Sequence, residues 1–301
     1  MTNITKITYN LVKFTERKSQ MSLLQEFLQD ADKTGYAIPA FNFSDSWELL
    51  AIIETALEEK SPVMVASAEP VARLYSPICL AGLYTGILQK TKAPIFLHLD
   101  HSTDTDLCIE AAKAGYPSVM IDASLLDFEP NIEKTKVVTD AVLGCDTLVE
   151  AEIGRIGGRN DETTSAGTVY LADTDEAVEF AERTHVDTLA VGLGNAHGFY
   201  KGKPQLNFDR LSEINGRINI PLVLHGGTGI AEEDIRKAIR SGINKVNVGT
   251  DLHYSYLITV SDYQCPGKSN VNILNAMKPV KEAIKETVRR WIHVCMSENR
   301  Y

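Results

Sequence analysis

At 301 residues the chain has room for one large domain or two small ones, and its 44% hydrophobic and 23% charged content excludes wholesale disorder. A net charge of −10, from 30 Lys and Arg against 40 Asp and Glu with no long basic run, argues against nucleic acid as a partner. The five cysteines (Cys79, Cys108, Cys145, Cys265 and Cys295) are scattered and never in Cys-x-x-Cys spacing, which fits neither a disulfide framework nor a cysteine zinc site and points to a reducing cytoplasm.

Residues 1–20 carry Lys6, Lys13, Arg17 and Lys18 against only Glu16, a weak likeness to a transit peptide. The preferred reading is an extension before Met21, poorly ordered or a non-native start, with the first convincing helix beginning at Met21. No apolar stretch approaches the ~18 residues needed to span a bilayer, so no membrane partner is expected.

Apolar runs follow at roughly 37–43, 62–67, 94–100, 118–123, 146–153, 188–194, 220–225 and 245–249. Continuous rather than alternating apolarity predicts strands of a parallel sheet covered on both faces. Between them lie helical stretches such as 47–60, 106–114 and 232–240, with Gly115 and Gly242 just past the second and third as C-terminal stops. Eight strands alternating with helices predict an α/β fold, a TIM (β/α)8 barrel forming one domain over 21–301 with a C-terminal helical extension. No Gly-x-Gly-x-x-Gly follows the first strand, so a dinucleotide fold has little support. The amphipathic segment 277–292 is expected to pack or to make a dimer contact.

His101, His197 and His225 each stand where a buried strand pattern gives way to a loop. Three imidazoles on one barrel face point to a catalytic metal with an open coordination position. In His98-Leu-Asp-His101 the alternation of a strand puts His98 and Asp100 on one side, while His101 points oppositely or leaves the strand. Asp100, beside a ligand, is placed for general acid or base work. Gly198 admits a ligand close to the backbone and Lys201 can meet an anion. His225-Gly-Gly-Thr-Gly229, feeding a helix near Ala231, and Lys245-Val-Asn-Val-Gly-Thr-Asp251 fall after strands seven and eight, where barrels of this kind bind phosphate. The loops at about 154–173 and 196–208 open on the same face. His98, His185, His253 and His293 lack such placement and read as structural or surface residues, and Glu150 reads as interior polar pairing, with Arg155 as a candidate partner.

Tyr36-Ala-Ile-Pro-Ala-Phe-Asn42, His98-Leu-Asp-His101, Met120-Ile-Asp-Ala-Ser124, Val149-Glu-Ala-Glu-Ile-Gly-Arg-Ile-Gly-Gly158, Asn195-Ala-His-Gly-Phe-Tyr200, His225-Gly-Gly-Thr-Gly229 and Val246-Asn-Val-Gly-Thr-Asp251 together resemble the class II, zinc-dependent fructose- and tagatose-bisphosphate aldolases. The resemblance runs over about residues 21–260 and marks a divergent member. It implies that His101, His197 and His225 hold one Zn2+, with Glu152 an alternative ligand or a partner behind them. Asp100 would handle the proton on the aldehyde-side oxygen and Asn247 would hold the enediolate region. Gly198, Lys201, Gly226, Thr228, Gly249 and Thr250 would surround dihydroxyacetone phosphate and a monovalent cation site. The implied reaction is reversible aldol cleavage of a ketose 1-phosphate or ketose 1,6-bisphosphate to dihydroxyacetone phosphate and an aldehyde, by a cytoplasmic homodimer or homotetramer acting on small sugar phosphates.

Three departures bear on the substrate. The glutamate that the family carries two residues after its Gly-Gly pair, for the C3 proton, is Asn160 here, leaving Asp161 or Glu162 to substitute. The serine and following glycine after strand two are Ser67-Ala-Glu69, with the glycine replaced. The arginine segment for the distal phosphate is not visible in 265–272, where Lys268 offers a less directional charge. Gly249, small as in tagatose-type members, leans the same way. The expectation is a substrate whose distal end differs from that of fructose 1,6-bisphosphate. Two alternatives stand beside it: a catalytically weak paralogue that binds zinc and a sugar phosphate, and a metal-dependent sugar-phosphate epimerase or isomerase.

Overall fold

The fold is given by a computed structural model that describes residues 19–89, 91, 93–157, 171–200, 202–264 and 271–301. Helix α1 (Gln20–Thr34) starts one residue before the expected Met21, because the Ser19 hydroxyl accepts from the Ser22 N–H at 3.1 Å and caps it. There follow β1 (Ile38–Asn42), α2 (Ser46–Glu59), β2 (Val63–Ala68), α3 (Glu69–Tyr75), α4 (Pro77–Leu88), β3 (Ile95–Ser102), α5 (Thr105–Ala114), β4 (Ser118–Ile121), α6 (Phe128–Ala141) and β5 (Leu148–Ile153). The chain continues with α7 (Thr174–Thr184), β6 (Thr188–Val191), α8 (Phe208–Asn215), β7 (Leu222–Leu224), α9 (Glu232–Arg240), β8 (Ile243–Val248), α10 (Thr250–Ser261) and α11 (Ile273–Val294).

The strands pair in parallel in chain order and β8 closes on β1, giving the eight-stranded TIM barrel that the apolar runs predict. Strand β7 is shorter than its apolar run. Pro221 at its start has no N–H to offer a neighbour, and Gly226 turns the chain away just past its end.

One face of each strand packs into the main apolar core under the helices, through residues such as Phe41, Val65, Leu97, Val119, Ala151, Leu189, Leu224 and Val248. The alternate residues face the barrel axis. At the bottom, Ile38, Ala40, Met64, Phe96 and Leu148 form an apolar layer that α1 closes with Leu24 and Leu28. Met120, Ala190 and Val223 form a small apolar cluster of their own within the barrel. Above them the inward residues turn polar: His98, Glu150 and Lys245, then Asp100, Glu152 and Asn247, all buried. The sharp change from apolar floor to polar mouth is a sequence property of the strands, because an inward position two residues further along is two residues nearer the loops.

Helix α11 lies over α2 and α10, burying Val280, Ile284, Val288, Trp291 and Ile292. Its outer edge is tied to α2 by Lys281 to Glu54, Lys285 to Glu58 and Arg289 to Glu58 and Glu59. Segment 277–292 is thus packed against the barrel. No single helix among the described residues is long and apolar enough to cross a membrane. Residues 1–18 and the segment 265–270, with Cys265 and Lys268, lie outside the described residues.

Candidate active site

His101, Asp100 and His225 reach the mouth of the barrel by different backbone means. Strand β3 loses its register with β4 between Leu99 and Ser102, and His101 adopts φ 49°, a left-handed conformation costly for a residue with a Cβ. That kink turns His101 inward beside Asp100, where a regular strand would have sent the two to opposite faces. His225 follows β7 directly. His197 is carried by the loop after β6, which Asn195 anchors: its Oδ1 accepts from the Leu193 N–H and its Nδ2 donates to the His225 carbonyl, both at 2.8 Å.

The trio converges. One nitrogen from each of His101, His197 and His225 lies within 4.8 Å of the others, and the His101 and His197 Nε2 atoms are 3.0 Å apart. His101 Nδ1 donates to the Asp122 carboxylate at 2.9 Å, which leaves its Nε2 lone pair facing the centre. His225 Nε2 donates to Glu150 Oε1 at 2.9 Å, so Nδ1 carries the lone pair; that buried nitrogen has no hydrogen-bond partner. Burial and the neighbouring His101 push His225 down to about 4, which favours the neutral ring that a metal needs. The donor set fits zinc: three imidazole nitrogens, with the far sides of His101 and His225 held by carboxylates.

Asp100 lies beside the trio, with Oδ1 4.0 Å from His225 Nδ1. Asn42 Nδ2 donates to its Oδ2 at 2.7 Å and Asn247 Nδ2 to its Oδ1 at 3.0 Å. Burial opposes its charge, but His101, His225, His98 and Lys245 outweigh burial and hold its carboxyl well below the usual carboxylate range. Glu152 sits on the other side of His101, with Oε2 3.9 Å from Nδ1. Burial and the Asp122 carboxylate push Glu152 up to about 8. His101, Asp122 and Glu152 form a second group of atoms within 4.8 Å of one another.

Next to the trio is a backbone cradle. Gly226 has φ 67°, and a Cβ there would stand 2.1 Å from the Ala196 carbonyl oxygen, so only glycine lets the two histidine-bearing loops touch. Tyr200 OH pins them, donating to the Gly226 carbonyl at 3.2 Å and accepting from the Ala196 N–H at 2.8 Å. Thr228 Oγ1 accepts from the Asp251 N–H at 3.2 Å, linking the glycine turn to the N-terminus of α10, where Thr250 is the first residue. Gly249 precedes it, and its Cα lies against Asn42, where a Cβ would meet Oδ1 at 2.9 Å. Gly198, at φ 83°, follows His197.

Most of the expected site residues are thereby brought together: His101, His197, His225, Asp100, Asn247, Gly198, Gly226, Thr228, Gly249 and Thr250. Asp161 and Lys201, with Asn160 and Glu162, lie outside the described residues. Glu150 pairs inside the barrel as expected, but the partners are Lys245 and His225 rather than Arg155, because Arg155 stands beyond the end of β5 while Lys245 faces inward from β8. Asn42, Asp122 and Lys245 have roles that the sequence alone does not single out. The available signal was a polar residue inside or ending an apolar strand.

Comparison with known proteins agrees with the geometry. The family model described as Fructose-bisphosphate aldolase class-II matches residues 22–300. A fructose-bisphosphate aldolase of Staphylococcus epidermidis is 39% identical over 285 residues, covering 92% of this chain and 98% of its own; one from Staphylococcus aureus matches to the same extent. Among solved structures, the YdjI aldolase from Escherichia coli K12 has a TM-score of 0.80 at 33% identity, covering 92% of this chain and 98% of its own. The fructose-bisphosphate aldolase of Campylobacter jejuni, at 20% identity, covers 94% of this chain and 97% of its own with a TM-score of 0.78 and shares the fold.

Proposed function

The chain belongs to the class-II fructose-bisphosphate aldolase family, and from that premise we propose that it is a zinc-dependent aldolase that reversibly cleaves a ketose 1-phosphate to dihydroxyacetone phosphate and an aldehyde. The observation that carries this reading is the convergence of His101, His197 and His225 beside a charged Asp100. His101, His197 and His225 would hold the zinc, which when bound would supply a Lewis acid toward the C2 carbonyl and offset the negative charge that develops as C3–C4 breaks.

Asp100 takes the proton of the C4 hydroxyl in the cleavage direction. It is anionic at neutral pH, and its two amide donors fix both oxygens in place. Asn247, tied to Asp100 through Nδ2, turns a buried and unpartnered Oδ1 toward the C2–C3 region. Gly226, Thr228, Gly249, Thr250 and Gly198 surround the phosphate, with α10 adding the positive end of its dipole, and the same residues would hold the monovalent cation. Lys201 contributes charge to the same group. Asp161 moves the C3 proton in place of the glutamate replaced by Asn160. Glu152 serves behind His101 or as an alternative ligand.

The distal end of the substrate is not a phosphate placed as in fructose 1,6-bisphosphate. Glu69 follows Ala68, which pairs in register with Asp100. Its carboxylate accepts from the Thr103 N–H at 2.7 Å, the Thr103 hydroxyl at 3.2 Å and the Ser102 hydroxyl at 3.3 Å. Donors at the top of β3 are therefore already taken by an anion. Arg73 is shared between Glu69 and Asp104, which leaves it neutralised. Ser67 faces the helix layer, against Tyr116 OH and the His98 carbonyl, and not the mouth.

The four described cysteines are unpaired, which supports a reducing, cytoplasmic setting. An exposed apolar face on α10, with Tyr254, Leu257 and Ile258, supports assembly into a homodimer or homotetramer.

The test is to load purified protein with zinc and offer ketose 1-phosphates that differ at the distal end, together with fructose 1,6-bisphosphate. Aldehyde and dihydroxyacetone phosphate are expected from a substrate without a distal phosphate. Fructose 1,6-bisphosphate turnover at ~10⁴ M⁻¹s⁻¹ or more sinks the distal-end reading. Zinc binding with no aldehyde from any substrate leaves a binding paralogue, and isomer without aldehyde an epimerase.

A further inference from the structure

We propose that Lys245 is a positioning residue for the metal site, acting through Glu150 and His98 to fix which nitrogen of the buried imidazoles carries a proton. The inference deepens the reading of His225 as a zinc ligand and rests on it.

Lys245, Glu150 and His98 are each no more than 1% exposed, in the barrel interior beneath the site. Lys245 Nζ lies 2.7 Å and 2.9 Å from the two Glu150 oxygens and 3.1 Å from His98 Nε2. An ammonium only donates, so three donors meet three acceptors and His98 Nε2 carries a lone pair. The proton of His98 is then on Nδ1, which donates to Ser118 Oγ at 2.8 Å. Burial and the Lys245 charge push His98 down to about 3, in keeping with a neutral ring.

On the other side, Glu150 has its oxygens shared among Lys245, the Thr188 hydroxyl at 3.2 Å and His225 Nε2 at 2.9 Å. A carboxylate in that position only accepts, so His225 holds its proton on Nε2 and its lone pair on Nδ1, the atom turned toward the metal trio. The chain of donors and acceptors starts at Lys245. Without it His98 has no partner that dictates one tautomer, and Glu150 is a buried carboxylate with no counter-ion to hold it in place behind His225. A carboxylate behind a ligating histidine commonly carries about 10- to 100-fold in metal affinity, so loss of the residue that holds that carboxylate should be felt at the metal.

The experiment uses the full-length zinc-loaded protein and two variants, Lys245→Met and Lys245→Met with Glu150→Gln. The double variant removes both charges and covers the case in which an unpaired Glu150 prevents folding. Long-range proton–nitrogen NMR of ¹⁵N-histidine protein reads each ring's tautomer, and competition with a chelator reads zinc affinity. Wild type is expected to show His98 protonated on Nδ1 and His225 on Nε2. In the variants His98 loses its single tautomer and zinc binds about 10- to 100-fold more weakly. A wild-type His98 protonated on Nε2, or a folded variant with tautomers and zinc affinity unchanged, overturns the proposal. Wild-type protein that has these tautomers yet takes up no zinc supports the network and contradicts the proposed function instead.

Discussion

Asn247 donates its side-chain amide to Asp100 Oδ1 at 3.0 Å while its own carbonyl oxygen stays buried without a partner. A buried polar atom left in that state costs free energy, so the pair is poised for something that is not protein. Asp100→Asn is expected to lower kcat for aldol cleavage by about 10²- to 10⁴-fold, the usual worth of a positioned acid or base. Zinc content should stay intact, because Asp100 touches the trio only at 4.0 Å. Steady-state kinetics with metal analysis checks both halves; unchanged kcat removes Asp100 from the chemistry.

Glu69→Gly restores the residue type that the family carries after strand two and frees the Thr103 N–H and the Ser102 hydroxyl. The variant should gain kcat/KM on a substrate with a distal phosphate relative to one without. The expected change is about tenfold or more in the ratio, since one hydrogen bond to a charged group is worth about 1.5–3 kcal/mol. An unchanged ratio removes Glu69 from specificity.

Gly226 and Gly35 both sit at positive φ, 67° and 74°, but only Gly226 is crowded. Gly35→Ala meets open space and should cost only the left-handed penalty, about 1–2 kcal/mol. Gly226→Ala adds a clash with the Ala196 carbonyl on top of that penalty. It should destabilise more and separate His197 from His225, with loss of metal affinity. Denaturant unfolding of both variants gives the comparison, and equal costs refute the close approach.

His253 Nδ1 bonds to Glu48 Oε1 at 2.7 Å, and that bond holds the imidazole above its ordinary value of 6.5. The folded state therefore binds this proton more tightly than the unfolded chain. The contribution is fully present below about pH 6.5 and fades as pH rises through the folded value. His253→Gln should flatten the stability profile above pH 6.5, measured as unfolding midpoints against pH. A wild-type profile that does not fall there contradicts the assignment.

The strands were legible because a barrel strand covered on both faces must be apolar at successive positions, and histidines ending such runs stood out against it. The C-terminal helix was legible through its amphipathic stripe, which Val280, Ile284, Val288 and Ile292 bury. The partner of Glu150 was not legible. Lys245 lies 95 residues away, and its nearness arises only when β8 and β5 face each other across a closed barrel. Arg155 looked the better candidate because local spacing is all that a single strand reveals. His101 is a similar case: alternation predicted that it would point away from Asp100 or leave the strand, and the register shift in β3 brings both to the mouth.

If zinc on His101, His197 and His225 enables proton removal from dihydroxyacetone phosphate, as proposed above, the C3 proton must exchange with solvent only while the metal is bound. The most direct measurement is exchange of the C3 proton in deuterated water, followed by NMR, with and without chelator. Exchange is expected with zinc-loaded protein, with its loss on metal removal and its return on adding zinc. Exchange that persists after the metal is stripped, or none with zinc bound, would contradict that role of the metal.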